Sequence, residues 1–195
     1  MLDTSESSNG IGLPRGPWRV VRSQQIYRDP WLQLTKDDVI RPDGKPGTHT
    51  VTTLKEGVSV LPLDDEGFVY LTEEFHYAVG RIGIEVVSGG IEPGEDKSAA
   101  AARELQEEVG LIASKWTPLG MTDPLTSQVI APVTMYLAQG LSFVAANPDG
   151  TESIRRLRVP FAEAIQMVLR SEITHAPSCV LILKAAYLIF PQNTK

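Results

Sequence analysis

Residues 88–111 read SGGIEPGEDKSAAAARELQEEVGL: a glycine-rich turn runs into an alanine-rich segment that gathers Glu104, Glu107 and Glu108 beside Arg103. Alanines and long unbranched side chains predict a helix over DKSAAAARELQEEVG, with Gly110 placed to end it. On a wheel of about 100° per residue, Ser98, Ala101, Ala102, Leu105 and Val109 share one side and form the expected core stripe. The three glutamates occupy a separate arc, with Arg103 at its edge. Glu104 and Glu108 stand one above the other on successive turns, a spacing at which like charges repel. The helix alone admits a solvated charged face, with Arg103 and Glu107 as an ordinary i,i+4 pair, or a site that holds something positive. The loop shifts the balance. Gly89, Gly90 and Gly94 permit tight turns and expose peptide groups at the helix entrance. Metal-assisted attack on a phosphate anhydride needs such a loop beside clustered carboxylates, and hard oxygen ligands suit Mg²⁺ or Mn²⁺.

Upstream, RIGIEVVS (81–88) reads as a strand that feeds this loop. WRVVRSQQIY and WLQLTKDDVI mix β-branched and aromatic residues with polar ones, RPDGKPG supplies a turn, and THTVTTLKEG reads as the returning strand. VSVLPL and FVYLTEEF form a further pair about the reverse-turn sequence DDEG. Downstream come strands around KWTPLGM and VTMYLAQGLSFV, a turn at NPDG, a strand near IRRLRV and a helix from Pro160 over FAEAIQMVLRSE. A last helix over APSCVLILKAAYLIF carries apolar residues almost all round, which predicts burial. This order predicts an α/β (α+β) sandwich rather than a doubly wound sheet. Residues 1–17, rich in Ser, Gly, Asn and Pro, are expected to form a flexible arm, 18–56 an N-terminal strand region and 57–195 the main domain.

The net charge of -6 argues against nucleic acid as a partner, because phosphate backbones need a basic surface. A phosphorylated small molecule remains open, since a metal ion can supply positive charge locally. The single cysteine, Cys179, lies in an apolar run and reads as a small core side chain in a reducing compartment. MLDTSESSNGIG lacks the positive start and apolar stretch of a secretory leader, and the run from Val180 to Phe190 is interrupted by Lys184 and too short for a bilayer. A cytoplasmic protein without a membrane partner is expected.

The opening stretch resembles the Nudix box: Gly, five residues, Glu, seven residues, Arg-Glu, an aliphatic, any residue, Glu-Glu, any residue, Gly and an aliphatic. Gly89, Glu95, Arg103, Glu104, Leu105, Glu107, Glu108, Gly110 and Leu111 fill those positions in order. The resemblance implies a Nudix-type α/β/α sandwich with a mixed sheet, and metal-dependent hydrolysis of a nucleoside diphosphate linked to another group. Carried over by position, Glu104 and Glu108 bind metal, and Glu107 is a further ligand or the base. The main-chain carbonyl of Ser88 is an additional ligand. Arg103 pairs with Glu95 to tie helix to loop, with Gly89 and Gly110 as structural support.

Residues 18–80 are similar to the N-terminal strands of ADP-ribose and nucleotide-sugar pyrophosphatases. IEVVSGGIEPGE resembles their Glu-Leu-Pro-Ala-Gly lead-in, with Glu85 keeping the glutamate, and VPFAEAIQMVLRSEITHA is similar as well. That branch implies an Mg²⁺ cofactor (Mn²⁺ as alternative), a nucleoside diphosphate-linked substrate and a homodimer. The expected substrate-binding residues are His76, Arg81, Glu85 and Trp31. His76 stands where the branch has a phosphate-binding arginine, and a histidine is a weaker, pH-dependent cation that could equally be a packed side chain. Arg81 could compensate or be an ordinary surface charge. Trp18 and Trp31 could face a nucleobase or serve packing. The branch also carries a loop glutamate as general base; in TDPLTSQVIAP that position is Ala131, and the only acid, Asp123 before a proline, suits a turn. Glu107 is therefore the expected base. A ligand sensor without turnover, or a hydrolase of dinucleoside polyphosphates or nucleoside triphosphates, is the alternative.

Overall fold

The computed structural model describes residues 12–145 and 154–190. In chain order its strands begin with β1 (Leu13–Arg15), β2 (Trp18–Arg28), β3 (Leu32–Ile40), β4 (Pro46–Leu54), β5 (Gly57–Pro62), β6 (Phe68–His76), β7 (Arg81–Glu85) and β8 (Val87–Gly90). Helix α1 (Lys97–Val109) follows, then β9 (Leu111–Thr122), β10 (Val129–Ile130), β11 (Val133–Phe143), β12 (Arg155–Pro160), α2 (Phe161–Leu169) and α3 (Ala176–Ile189). The chain divides into two compact units, one ending at Leu54 and recruiting Leu125–Ile130, the other built from Lys55–Pro124 and the chain from Ala131 onward.

The first unit is one sheet of order β1-β2-β3-β4-β10. β3 and β4 form the expected hairpin in unbroken antiparallel register, β2 pairs antiparallel with β3 across register shifts between Val20 and Arg22 and between Gln25 and Tyr27, and β10 adds in parallel to β4. Residues 13–15, expected as part of a flexible arm, instead pair with β2. Gly16 permits the reversal by taking a φ of 60°, a left-handed conformation. Residues 1–11 of that arm lie outside the described residues, as does the NPDG turn.

In the second unit a mixed sheet of order β8-β5-β11-β9 lies beside a smaller sheet of order β12-β6-β7. β5 runs parallel to β11 and antiparallel to β8. It is buried on both faces, as its nearly continuous apolar sequence requires. Val58 and Val60 pack with Ala100, Ala101, Leu105 and Val109 of α1. Leu61 packs with Leu71 and Met135 against Phe161, Leu181 and Ile182 of α2 and α3. Helices thus cover both faces, which is the expected α/β/α sandwich.

Three local expectations change. VSVLPL and FVYLTEEF are not a regular hairpin: a single bridge, Leu63↔Val69, joins them before the chain crosses from the sheet of β5 to that of β6. RIGIEVVS breaks into β7 and β8 around Val86, whose N–H is taken by the Ser178 hydroxyl of α3 at 3.0 Å. The last helix is buried on one side only: Leu181, Ile182 and Ala185 face the core, while Tyr187 and Leu188 are 68% and 52% exposed.

Candidate active site

Asp96 starts α1 by accepting the Ser98 N–H at 2.8 Å, and Gly110 ends it in the left-handed conformation at φ 62°, donating to the carbonyls of Leu105 and Gln106. These caps set the helix phase. Ala100, Ala101, Glu104, Leu105 and Val109 are buried, whereas Ser98 and Ala102, expected in the core stripe, are exposed. Ser98 is consumed by the cap, and the buried stripe has rotated to include Glu104, 9% exposed. Glu104 is therefore not part of a solvated face, while Glu107 and Glu108 are partly exposed.

Gly89 of β8 explains how a carboxylate fits there. A Cβ at that position would lie 2.0 Å from the carboxyl carbon of Glu104, so the acid occupies the space that any other residue would fill. Arg103 then binds the arrangement together. Its Nε and Nη2 grip Glu95 in a fork at 2.9 and 3.0 Å, and Nη2 also donates to the Gly90 carbonyl at 2.9 Å. Nη1 donates to Glu104 Oε1 at 2.8 Å and to Glu107 Oε2 at 2.9 Å. Every N–H of the guanidinium is engaged, the geometry for which arginine is suited and lysine is not. The guanidinium, with help from the Glu92 N–H, holds the Glu95 carboxyl down at about 2. Reciprocally, Glu95 foremost, then Glu104 and Glu107, push the Arg103 pKa upward against the opposing effect of burial.

One guanidinium meets three carboxylates here, so negative charge is left in excess before Glu108 is counted. Among the described residues no three His, Cys, Asp or Glu side chains already converge as a metal cage. The donor set nevertheless fits a hard divalent cation: carboxylate oxygens, excess negative charge and a glycine opening at the helix face.

A model of the NUDIX domain matches residues 53–176, and a model of the nucleoside diphosphate sugar hydrolase N-terminal domain matches residues 18–52. The chain belongs to the Nudix family. It is 28% identical over 168 residues to the ADP-ribose pyrophosphatase of Bacillus subtilis (strain 168), covering 84% of this chain and 90% of that protein. It is 31% identical over 163 residues to the ADP-ribose pyrophosphatase of Mycobacterium tuberculosis (strain ATCC 25618 / H37Rv), covering 82% and 78%. A solved structure titled as an ADP compounds hydrolase shares the fold with a TM-score of 0.81 at 21% identity, over 90% of this chain and 96% of that one. Family membership makes the chain a pyrophosphohydrolase that uses a divalent metal. No helix among the described residues is long and apolar enough to cross a membrane.

Three of the expected substrate-binding residues, His76, Arg81 and Glu85, stand on one face of the β6–β7 pair. His76 and Glu85 are together, with His76 Nε2 at 2.8 Å from Glu85 Oε1. Arg81 points instead to Thr174 Oγ1, at 3.0 Å. Trp31 belongs to the first unit, where it is 72% exposed at the β2–β3 turn and its N–H is held by Asp29 at 2.8 Å. Trp18 lines a cavity of about 250 Å³ in that same unit, with its ring edge-on to His49. Asp123 is exposed at the end of β9. Sequence reasoning missed His175 and Ser178. His175 Nδ1 lies 3.0 Å from Glu85 Oε2 and 2.8 Å from the fully buried Ser178 hydroxyl. The one available signal was that this chain has only three histidines, one of them at the start of a helix.

Proposed function

We propose that this Nudix hydrolase cleaves the diphosphate linkage of ADP-ribose or a nucleotide sugar with Mg²⁺, releasing a nucleoside monophosphate and a sugar phosphate. The observation that carries the reading is the carboxylate cluster held by Arg103 over Gly89. The names of the relatives from Bacillus subtilis and Mycobacterium tuberculosis supply the substrate class. Glu104, Glu108 and the Ser88 carbonyl hold the ion, with Glu107 beside them. When bound, Mg²⁺ neutralises the diphosphate and makes water a better nucleophile. Arg103 and Glu95 fix the loop against the helix, so the carboxylates are in place before substrate arrives. Glu107 takes the proton of the attacking water on the oxygen that Arg103 does not hold. His76 and Arg81 bind substrate phosphate, with Glu85 acting through His76. The same reading takes a cytoplasmic homodimer as the working form.

A screen of nucleoside diphosphate derivatives with Mg²⁺, with products identified, tests this. Release of AMP and ribose phosphate from ADP-ribose is expected. Retention of full activity by Glu104→Gln would show that the metal assignment is wrong. The second reading, a sensor that binds without turnover, draws on Ala131 in place of a loop glutamate and on His76 in place of arginine. Saturable binding with no monophosphate released would establish it.

A further inference from the structure

Antiparallel pairing of β6 with β7 sets His76 opposite Arg81, Glu74 opposite Gly83 and Thr72 opposite Glu85, so all six share one face. Gly83 makes room on that face. A Cβ there would lie 2.7 Å from the His76 ring carbon Cδ2 and 2.9 Å from Nε2. With glycine in place, the imidazole lies across the hairpin and reaches Glu85 Oε1. That buried Nε2 sits off hydrogen-bond alignment and has no hydrogen-bond partner among the described residues. From the other side His175, the residue before α3, faces Glu85 Oε2. Each oxygen of a half-buried carboxylate thus has its own imidazole.

The proton count of such a group is constrained. Ser178 Oγ accepts the Val86 N–H, and His175 Nδ1 lies within reach of both Ser178 and Glu85. A proton on Nδ1 is shared between those two oxygens; without it, two electron-rich atoms face each other at 3.0 Å. With both rings protonated the three side chains carry one net positive charge; with both neutral they carry one net negative charge. Among the described residues, Glu74 and Arg81 share this face of the hairpin, and Cys179 of α3 interacts electrostatically with Glu85. Arg81 is bonded to Thr174, and Cys179 has its thiol pKa raised by burial, with Glu85 adding to it. Glu85 is three residues before Ser88, roughly 10 Å along an extended chain.

We propose that His76, Glu85 and His175 form a proton-gated anion subsite, in which protonation of the two imidazoles turns a repulsive position into one that attracts the substrate's diphosphate. His175 is the positioning residue: it holds Glu85, and Glu85 holds His76. This rests on the hydrolase reading, because the anion is that of the substrate.

The test is equilibrium binding of ADP-ribose carrying a methylene bridge between its phosphorus atoms, which resists hydrolysis, from about pH 6 to about pH 8, where histidines titrate. Wild type is expected to lose roughly tenfold in affinity across that range, through the change in sign of the local charge. His76→Arg, a permanent cation, should bind with a shallower profile, since only His175 still changes charge. Glu85→Gln should bind more tightly than wild type at the alkaline end, whereas a merely structural Glu85 would give weaker binding at every pH. In turnover the pH effect should fall on KM, with kcat carrying none of the difference between wild type and His175→Gln. Profiles of the same shape in wild type, His76→Arg and His175→Gln would overturn the proposal. If no diphosphate compound binds or is cleaved, the hydrolase reading fails by itself, and sulfate, whose charge is constant over this range, probes the subsite. Sulfate binding that fades with pH and is lost in His76→Gln supports the gate; binding that does not depend on pH overturns it.

Discussion

Two charged clusters of the second unit are built in opposite ways. Around Arg103 one permanent cation is shared by several carboxylates, while around Glu85 one carboxylate is shared by two histidines. The first keeps its charge pattern wherever the protein works, because guanidinium does not lose its proton and Glu95 titrates only near 2. The second is made of the side chain whose ordinary pKa lies in the physiological range. A site that must hold a divalent ion is better served by fixed charge, and one that discriminates among anions can be tuned by protons.

The largest break in this contrast should come from Glu104→Gln. It is expected to lower kcat on the order of 10³-fold, the scale of removing one electrostatic group aimed at developing charge, as read in steady-state kinetics with Mg²⁺. Substitutions in the histidine cluster should move KM instead. Next comes Gly89→Ala, whose methyl group would occupy the position of the Glu104 carboxylate. Calorimetric titration with Mg²⁺ should show affinity reduced roughly 10–100-fold, the range for losing support of a ligand. A change confined to thermal stability would mean that Glu104 does not depend on this space.

Arg103→Lys keeps the charge and removes the fork. Without metal it is expected to cost about 1–3 kcal/mol in denaturant unfolding, because carboxylates left without their donors are part-buried. The smallest effect concerns acid. Glu95 has a folded-state pKa of about 2 against an ordinary 4.5, so its contribution is fully present above 4.5 and is lost as pH falls from there toward 2. In Glu95→Gln that part of the acid-unfolding slope should vanish, while the rest of the curve is unchanged. An identical slope would mean that the Arg103 fork persists when Glu95 is protonated.

Much of the site around Arg103 was legible in the sequence, because helix, caps and carboxylates are local and their spacing is set by the helical repeat. The misplaced wheel positions show where local reasoning ended. Ser98 and Ala102 are neutral on a wheel of charges, and only the packing of Ala100 and Ala101 against Val58 and Val60 set the phase that buries Glu104. The strand order was less accessible, since FVYLTEEF carries the same alternation whether its neighbour is β5 or β12.

The sequence by itself determined the helix, its glycine stop and the acids it carries, all within one short segment, while the pairing of Arg103 with Glu95 was implied by the resemblance to the Nudix box. The tertiary structure alone decided that Glu85 is clasped from both sides. His76 and Glu85 meet across a hairpin because Gly83 leaves room, and His175 arrives from a helix 90 residues later in the chain. Contacts of that kind depend on how α3 packs against the hairpin, and no local propensity encodes them.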